Sequence, residues 1–314
     1  MNKPYLTYEQ QVEKLKNKNL IIDDKDIAIR YLKKYGYYSL ICGYKLPFKN
    51  KTTNYYIDNT HFAEIVALYE FDACLRHIFL KYLLLVEKQI KVHLANTFSE
   101  VYSESEDAYE NPENYDNSND RNKKDIEDLI NKKLTRTKNS NNYAYIVHAR
   151  EINHNVPLWV LFNAISFGSI SKMYMLQKQE LKAKIAIEYP HLNEGTLAVL
   201  LNACATCRNV CAHGERLYTF KRRQAIPKLL LLKKMNIPMT ENENEYVIGQ
   251  KDLFSIVISL RYLLNHDDFI NFKNELVKTI DQYQKEAQSA TFSEIMNEMG
   301  FPNNWKSITR YRKI

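Results

Sequence analysis

The stretch from His61 to Phe98, HFAEIVALYEFDACLRHIFLKYLLLVEKQIKVHLANTF, decides how the rest of the chain is read. Phe62, Ile65, Tyr69, Phe79, Leu83, Val86 and Ile90 recur at a 3-4 spacing. In a helix of 3.6 residues per turn that spacing gathers them on one stripe. A helix over this range would be roughly 55 Å long at about 1.5 Å per residue. Asp72 and Arg76 interrupt the stripe at its own spacing and stand as an i,i+4 pair. A buried structural ion pair is the plain account of them. Glu87 and Lys91 repeat the arrangement one position off the stripe.

Helical pattern continues on both sides. Residues 7–17 and 24–35 read as amphipathic helices. Thr7 with Gln10 forms a capping box for the first, Asp23 or Asp24 caps the second, and Gly36 stops it. Tyr37 to Phe48, rich in aromatics, reads as a packed connection. Lys124 to Lys133 and Tyr143 to Arg150 are helical. Pro157-Leu158-Trp159 opens another helix, which Phe167-Gly168-Ser169 breaks and Ile170 to Gln177 resumes. Glu194 to His213 is helical, with Leu197, Leu200, Cys204, Cys207 and Cys211 on one stripe and Gly214 as its stop. Ala225 to Ile248 is a candidate for a short β-hairpin, and Asp252 to Leu264 and Phe269 to Gln288 are helices again. The expected fold class is all-α. Seven Gly and eight Pro argue equally against turn-rich β sandwiches and barrels.

A chain of 314 residues can bury a real core without disulfides or a structural metal. Five cysteines, an odd number, fit a reducing compartment. Met1 to Gln11 is polar, unlike a signal peptide, and the most apolar run, Ile78 to Val86, contains Lys81 and falls short of the about 20 residues a span needs. A cytoplasmic protein is expected. The formal net charge of +7 is unevenly spread. Residues 103–120 hold seven acids (Glu104, Glu106, Asp107, Glu110, Glu113, Asp116, Asp120) and no Lys or Arg, the polarity of a mobile loop. Lys221, Arg222, Arg223, Lys228, Lys233 and Lys234 form one acid-free basic cluster; Lys306, Arg310, Arg312 and Lys313 form another. Such clusters suit a phosphate backbone, and they suit a solvated surface as well.

No glycine-rich phosphate loop, GxSxG or HExxH occurs, so nucleotide-cofactor and zinc-hydrolase readings have nothing to stand on. Cys204, Cys207, Cys211 and His213 have the look of a metal cluster. The cysteines, however, occupy an apolar helix stripe, where free Cys behaves as a small hydrophobe, so core packing is the reading and no metal or cofactor is expected. The same helix carries Arg208-Asn209-Val210-Cys211-Ala212-His213, an Arg-x4-His spacing. Spacing alone is weak, because Arg261 and His266 show it too. The first differs in its setting: it closes a helix at Gly214, just ahead of a basic cluster.

Five blocks in order carry a resemblance. Tyr8-Glu9-Gln10-Gln11, Leu20-Ile21-Ile22-Asp23 and Tyr37-Tyr38-Ser39-Leu40 with Gly43-Tyr44 and Pro47-Phe48 form the N-terminal part. Leu68-Tyr69-x-Phe71-Asp72 with Leu75-Arg76, then Glu87 with Lys91, lie on the long helix. Pro157-x-Trp159, Ser166-Phe167-Gly168 and Arg208-Asn209-x-Cys211-Ala212-His213 with Arg216-Leu217 follow. In these the chain resembles Abi-like proteins of the AbiD/AbiF type, the abortive-infection group of the HEPN superfamily of helical ribonucleases. It departs at Ala73, where a basic residue is common, at Lys91, where Arg is usual, and in the 103–120 insert.

The resemblance implies a HEPN helical domain over 60–286, preceded by a helical block at 1–59 and followed by a basic tail at 287–314. It implies antiphage defence by metal-independent RNA cleavage. Arg208, Asn209 and His213 would be catalytic, Asp72, Arg76 and Glu87 supporting, and Arg216, Lys221, Arg222 and Arg223 would hold RNA. Histidine is the residue type suited to move a proton near neutrality, and arginine offers a fixed fork to phosphate oxygens. At about 100° per residue Asn209 and His213 lie about 40° apart, while Arg208 and His213 lie about 140° apart. Asn209 can orient the imidazole, whereas Arg208 must reach around the helix or serve a neighbouring site. A homodimer that pools Arg and His from two subunits meets that difficulty. The alternatives are a non-catalytic protein bound to a small non-coding RNA, and a protein–protein regulator using the acidic insert.

Overall fold

The computed structural model describes residues 4–311 and is helical throughout; among the described residues no strand forms, only isolated β-bridges. The chain opens with α1 (Tyr8–Lys16) and α2 (Lys25–Tyr35). Thr7 and Gln10 close the expected capping box, and Asp24 caps α2 through the amides of Asp26 and Ile27. A π turn at Tyr38–Cys42 and a 3-10 turn at Leu46–Phe48 form the packed connection. Then α3 (Phe62–Val101) runs for 40 residues, about 60 Å, through the middle of the molecule. Its stripe is buried as the spacing requires: Ile65, Phe79, Leu83, Val86 and Ile90 are wholly out of solvent.

Short elements follow: α4 (Glu106–Glu110), α5 (Asp120–Leu129), α6 (Arg136–Lys138), α7 (Ala144–Ile152) and α8 (Leu158–Leu161). The second half comprises α9 (Phe167–Met175), α10 (Gln179–Ala186), α11 (Glu194–Ala212), α12 (Leu230–Lys234), α13 (Leu253–Leu263), α14 (His266–Glu286) and α15 (Ser289–Glu298). Both α14 and α11 pack along α3, and α9 and α13 pack on α11. The α3–α14 seam is aromatic: Phe71 stacks on Tyr283 at 4.2 Å, and Phe79 meets Phe272 edge-on at 5.2 Å. Each such ring is worth about 1.5–3 kcal/mol by burial. One hydrophobic cluster extends from Val12 to Ile308, so the 1–59 block shares its core with the 60–286 region.

Four expectations need correction. The acidic insert is packed, because Tyr109 and Tyr115 within it are wholly buried. Their hydroxyls donate to the Val156 and Tyr109 carbonyls at 2.9 and 2.7 Å. Glu106 and Glu110 both hold Lys138 at 2.8 Å. Two buried rings outweigh the acids of the segment when two of the carboxylates share Lys138 outside it and others stay exposed. The 225–248 hairpin reduces to a single bridge between Met239 and Tyr246. Leu230 to Lys234 is helical instead, Asn236 ends it at φ 54°, and Pro238 lacks the N–H that a longer ladder needs. Phe167-Gly168-Ser169 is the first turn of α9, capped by Ser166, so the break lies just before it. Finally, the basic tail, in which no helix was expected, carries α15 and a 3-10 turn that bury Ile295, Met299, Phe301, Trp305 and Ile308. Arg312 and Lys313 of the second basic cluster lie outside the described residues.

Candidate functional site

The site is built on the C-terminal end of α11. Asn193 caps the start of that helix, its side chain accepting from the Thr196 amide at 2.7 Å. Leu197, Leu200, Cys204 and Cys207 are wholly buried and Cys211 nearly so, as core residues. Burial pushes the Cys204 thiol up to about 12 and raises Cys207 as well. Gly214 ends the helix at φ 68°, with its amide on Cys211 O (3.2 Å) and that of Glu215 on Val210 O (3.1 Å). This is a Schellman stop, which an L side chain at Gly214 would strain. It leaves His213 as the exposed cap residue and turns the chain back toward α3.

Asp72 catches the returning chain. Its carboxylate is wholly buried and accepts from the Leu217 amide at 3.1 Å, the Tyr218 amide at 2.7 Å and the Tyr44 hydroxyl at 2.7 Å. Arg76 pairs with the same carboxylate and also donates to Tyr44 Oη at 3.1 Å. Burial pushes the Asp72 carboxyl above its ordinary range, opposed by the hydrogen bond from Tyr44, the charge of Arg76 and the hydrogen bonds from the two amides. The expected ion pair is therefore a four-way anchor joining the N-terminal block, α3 and the segment after α11. Tyr44 was missed as a partner; its only sequence signal is its place beside Gly43 in a quoted block.

The second acid–base pair of α3 points at the motif. Glu87 is 5% exposed; its Oε1 meets Lys91 Nζ at 2.8 Å and its Oε2 meets Arg208 Nε at 3.2 Å. Arg208 Nη1 donates to Asn209 Oδ1 at 3.3 Å. The Asn209 amide is thus turned to Arg208, not to His213 as the shared face suggested. Among the described residues the His213 imidazole has no hydrogen-bond partner, and none joins it to Arg208. One guanidinium edge is fixed by a buried carboxylate, and an unencumbered imidazole stands at the same helix end.

The residues expected to hold RNA separate. Arg216 is exposed and donates to Gly43 O at 2.8 Å, bridging to the N-terminal block. Lys221 pairs with Glu298 at 3.4 Å, so a cluster without acids in sequence acquires one in space, as Lys306 does with Asp281 at 2.6 Å. Arg223 is exposed. Arg222 is only 8% exposed, lies beside Cys204 and Cys207, reaches Asn202 Oδ1 at 3.4 Å and leaves Nη1 buried without a partner. It does not reach a surface ligand, which corrects that expectation. Among the described residues no helix is long and apolar enough to cross a membrane.

A family model described as Abi-like protein matches residues 30–219, more than half of the chain. The match starts inside α2 and ends just past Tyr218, taking in both acid–base pairs of α3 and all of α11. No curated protein and no solved structure matches the chain.

Proposed function

We propose that this chain, which belongs to the Abi-like protein family, is a HEPN-type endoribonuclease of abortive-infection defence that cuts RNA without a metal. The observation that carries the reading is the contact of Arg208 with buried Glu87, 3.2 Å away, beside an exposed His213 whose imidazole has no hydrogen-bond partner among the described residues. Cleavage of RNA by its own 2′-hydroxyl needs a base for that proton, an acid for the leaving 5′-oxygen, and positive charge on the phosphorane between them. One imidazole cannot be base and acid at the same instant. In a homodimer facing across the α11 ends, one His213 takes the 2′-hydroxyl proton and the partner's His213 gives a proton to the 5′-oxygen. The P–O5′ bond breaks as the 2′-oxygen bonds to phosphorus, leaving a 2′,3′-cyclic phosphate. Arg208, aimed by Glu87, holds the phosphorane oxygens.

Purified protein should cut single-stranded RNA in EDTA, leave DNA intact because it lacks the attacking hydroxyl, and yield cyclic-phosphate ends. His213→Ala and Arg208→Ala should each cut about 10²–10³-fold more slowly or not at all. Wild-type protein mixed with an excess of His213→Ala should lose cutting as mixed dimers form, because a shared site needs the imidazole of both subunits. Loss of cutting in EDTA, or full cutting by His213→Ala, would sink the assignment; tight RNA binding with no cutting would favour a non-catalytic RNA-associated role.

A further inference from the structure

Beside the motif, between α2, the π turn and the segment after α11, opens a cleft of about 700 Å³. That volume lies within the range of sites for small ligands and single nucleotides. Thr206 and Val210 of α11 line it, with Gly214 at the helix end. Seven residues of helix return to within about 20° of the same direction, so His213, though not itself on the lining, follows Thr206 on one exposed face of α11 and directly precedes Gly214 of the lining.

The remaining walls have a consistent chemistry. Tyr38 lies on the lining yet is 81% exposed. Tyr35 and Tyr69, also on the lining, sit 4.6 Å apart and continue inward to Tyr44, whose ring is 5.1 Å from that of Tyr69. Three cations share the cleft: Lys34, whose Nζ stands 4.7 Å over the Tyr35 ring, Arg216 and Lys221. Arg216 spends Nη1 on the Gly43 carbonyl, lies against the Tyr218 hydroxyl as well, and is still exposed as a side chain. Glu215 is the acid on the lining, and it is exposed. Open aromatic faces next to fixed cations are what a base and its phosphate require, since every base has a π-face and every linkage a charge.

We infer that this cleft is a subsite for one unpaired nucleotide of an RNA strand, its base stacked on Tyr38 and its phosphate held by Arg216 and Lys34, adjacent to the phosphate at His213. The inference rests on the reading of this chain as RNA-directed and adds where the neighbouring nucleotide goes. The subsite selects unpaired strands, because a base within a duplex cannot present its face to Tyr38. It is tolerant of sequence, because stacking reads no base edge.

The test separates binding from cutting by using a fluorescently labelled 2′-O-methyl RNA of about ten nucleotides, which blocks the attacking hydroxyl, read by anisotropy. Tyr38→Ala and Tyr38→Leu should weaken binding about tenfold, while Tyr38→Phe keeps the ring and the affinity. Arg216→Ala should weaken binding and make the log–log salt slope shallower by about 0.7, one phosphate contact. Tyr5→Ala, an exposed tyrosine away from the cleft, should change nothing. If RNA is cut normally but Tyr38→Ala binds like wild type, the subsite is wrong and the ribonuclease reading survives. If Tyr38 matters for binding but no RNA is cut, the subsite stands and the catalytic reading falls. Failure of wild type to bind the oligonucleotide overturns the subsite, and the cutting of unmodified RNA then decides the ribonuclease reading by itself. A free mononucleotide that displaces the strand at equal concentration would assign the cleft to a small effector and overturn the strand subsite.

Discussion

The chain contains the spacing Arg-x4-His twice, at 208–213 and 261–266, and the structure treats the two in opposite ways. The first lies at the end of one continuous helix. The second straddles a break: α13 ends at Leu263, Asn265 caps α14, and His266 begins it. Arg208 has a buried acid at 3.2 Å and a partly exposed guanidinium. Arg261 is 6% exposed, has no acid partner among the described residues, and lies 5.1 Å over the Phe269 ring with its Nε buried and unpartnered. Burial lowers the Arg261 pKa from its usual value, whereas Arg208 gains a counter-charge that aims it. The first motif differs in a carboxylate from a neighbouring helix that fixes its cation and a helix stop that leaves its histidine exposed; the spacing supplies neither.

The comparison can be broken at several points, and the largest effect belongs to Asp72. It pins the chain reversal after the first motif, and among the described residues no buried carboxylate holds the chain after the second. Asp72→Ala leaves Arg76 and two amides without their buried acceptor, and should cost about 3–5 kcal/mol of stability in urea unfolding. A loss below about 1 kcal/mol would mean that the anchor is dispensable. Next comes Glu87→Gln, which keeps an acceptor but removes the charge that aims Arg208. Cleavage should fall about tenfold, a loss of about 1.4 kcal/mol in transition-state stabilisation. In an Arg208→Ala background the same change should have no further effect on cleavage if Glu87 serves it through Arg208. An additive loss would place Glu87 in some other role.

The second motif should answer in the opposite sense. Arg261→Met replaces a buried cation without an acid by an apolar chain of similar length, and should leave stability unchanged or raise it by about 1 kcal/mol. A marked drop in the urea midpoint would show that the ring contact with Phe269 outweighs the burial of charge. The smallest effect is expected for His266→Ala, with RNA cleavage at the wild-type rate. Reduced cleavage in that variant would erase the distinction between the two motifs.

Periodicity was a sound guide where burial is one-sided and continuous. The stripe from Phe62 to Ile90 became α3, Thr7 and Asp24 became caps, and Gly36 and Gly214 became stops at φ 77° and 68°. It failed where a few side chains overrule the average polarity of a segment. The 103–120 insert reads as solvated until Tyr109 and Tyr115 are seen inside the core. Arg222 reads as part of a basic surface, yet one residue either side of it is exposed while it points inward. In an irregular segment no period tells inside from outside. Asn209 was expected beside His213 on angular grounds, but its amide reaches Arg208 because a neighbouring guanidinium competes for it.

The sequence by itself determined the long helices α1, α2, α3, α11, α13 and α14, most of their ends, the burial of the cysteine stripe and the membership of a family, because each depends on local periodicity, capping chemistry or a run of short motifs. Tertiary structure alone decided which acid serves which cation. Asp72–Arg76 and Glu87–Lys91 are the same i,i+4 pattern, fifteen residues apart on α3. The first is sealed against the backbone of residues 217 and 218, and the second is lent to Arg208 on another helix. What separates them is the element packed opposite each, a contact across more than a hundred residues of chain that no local interaction encodes.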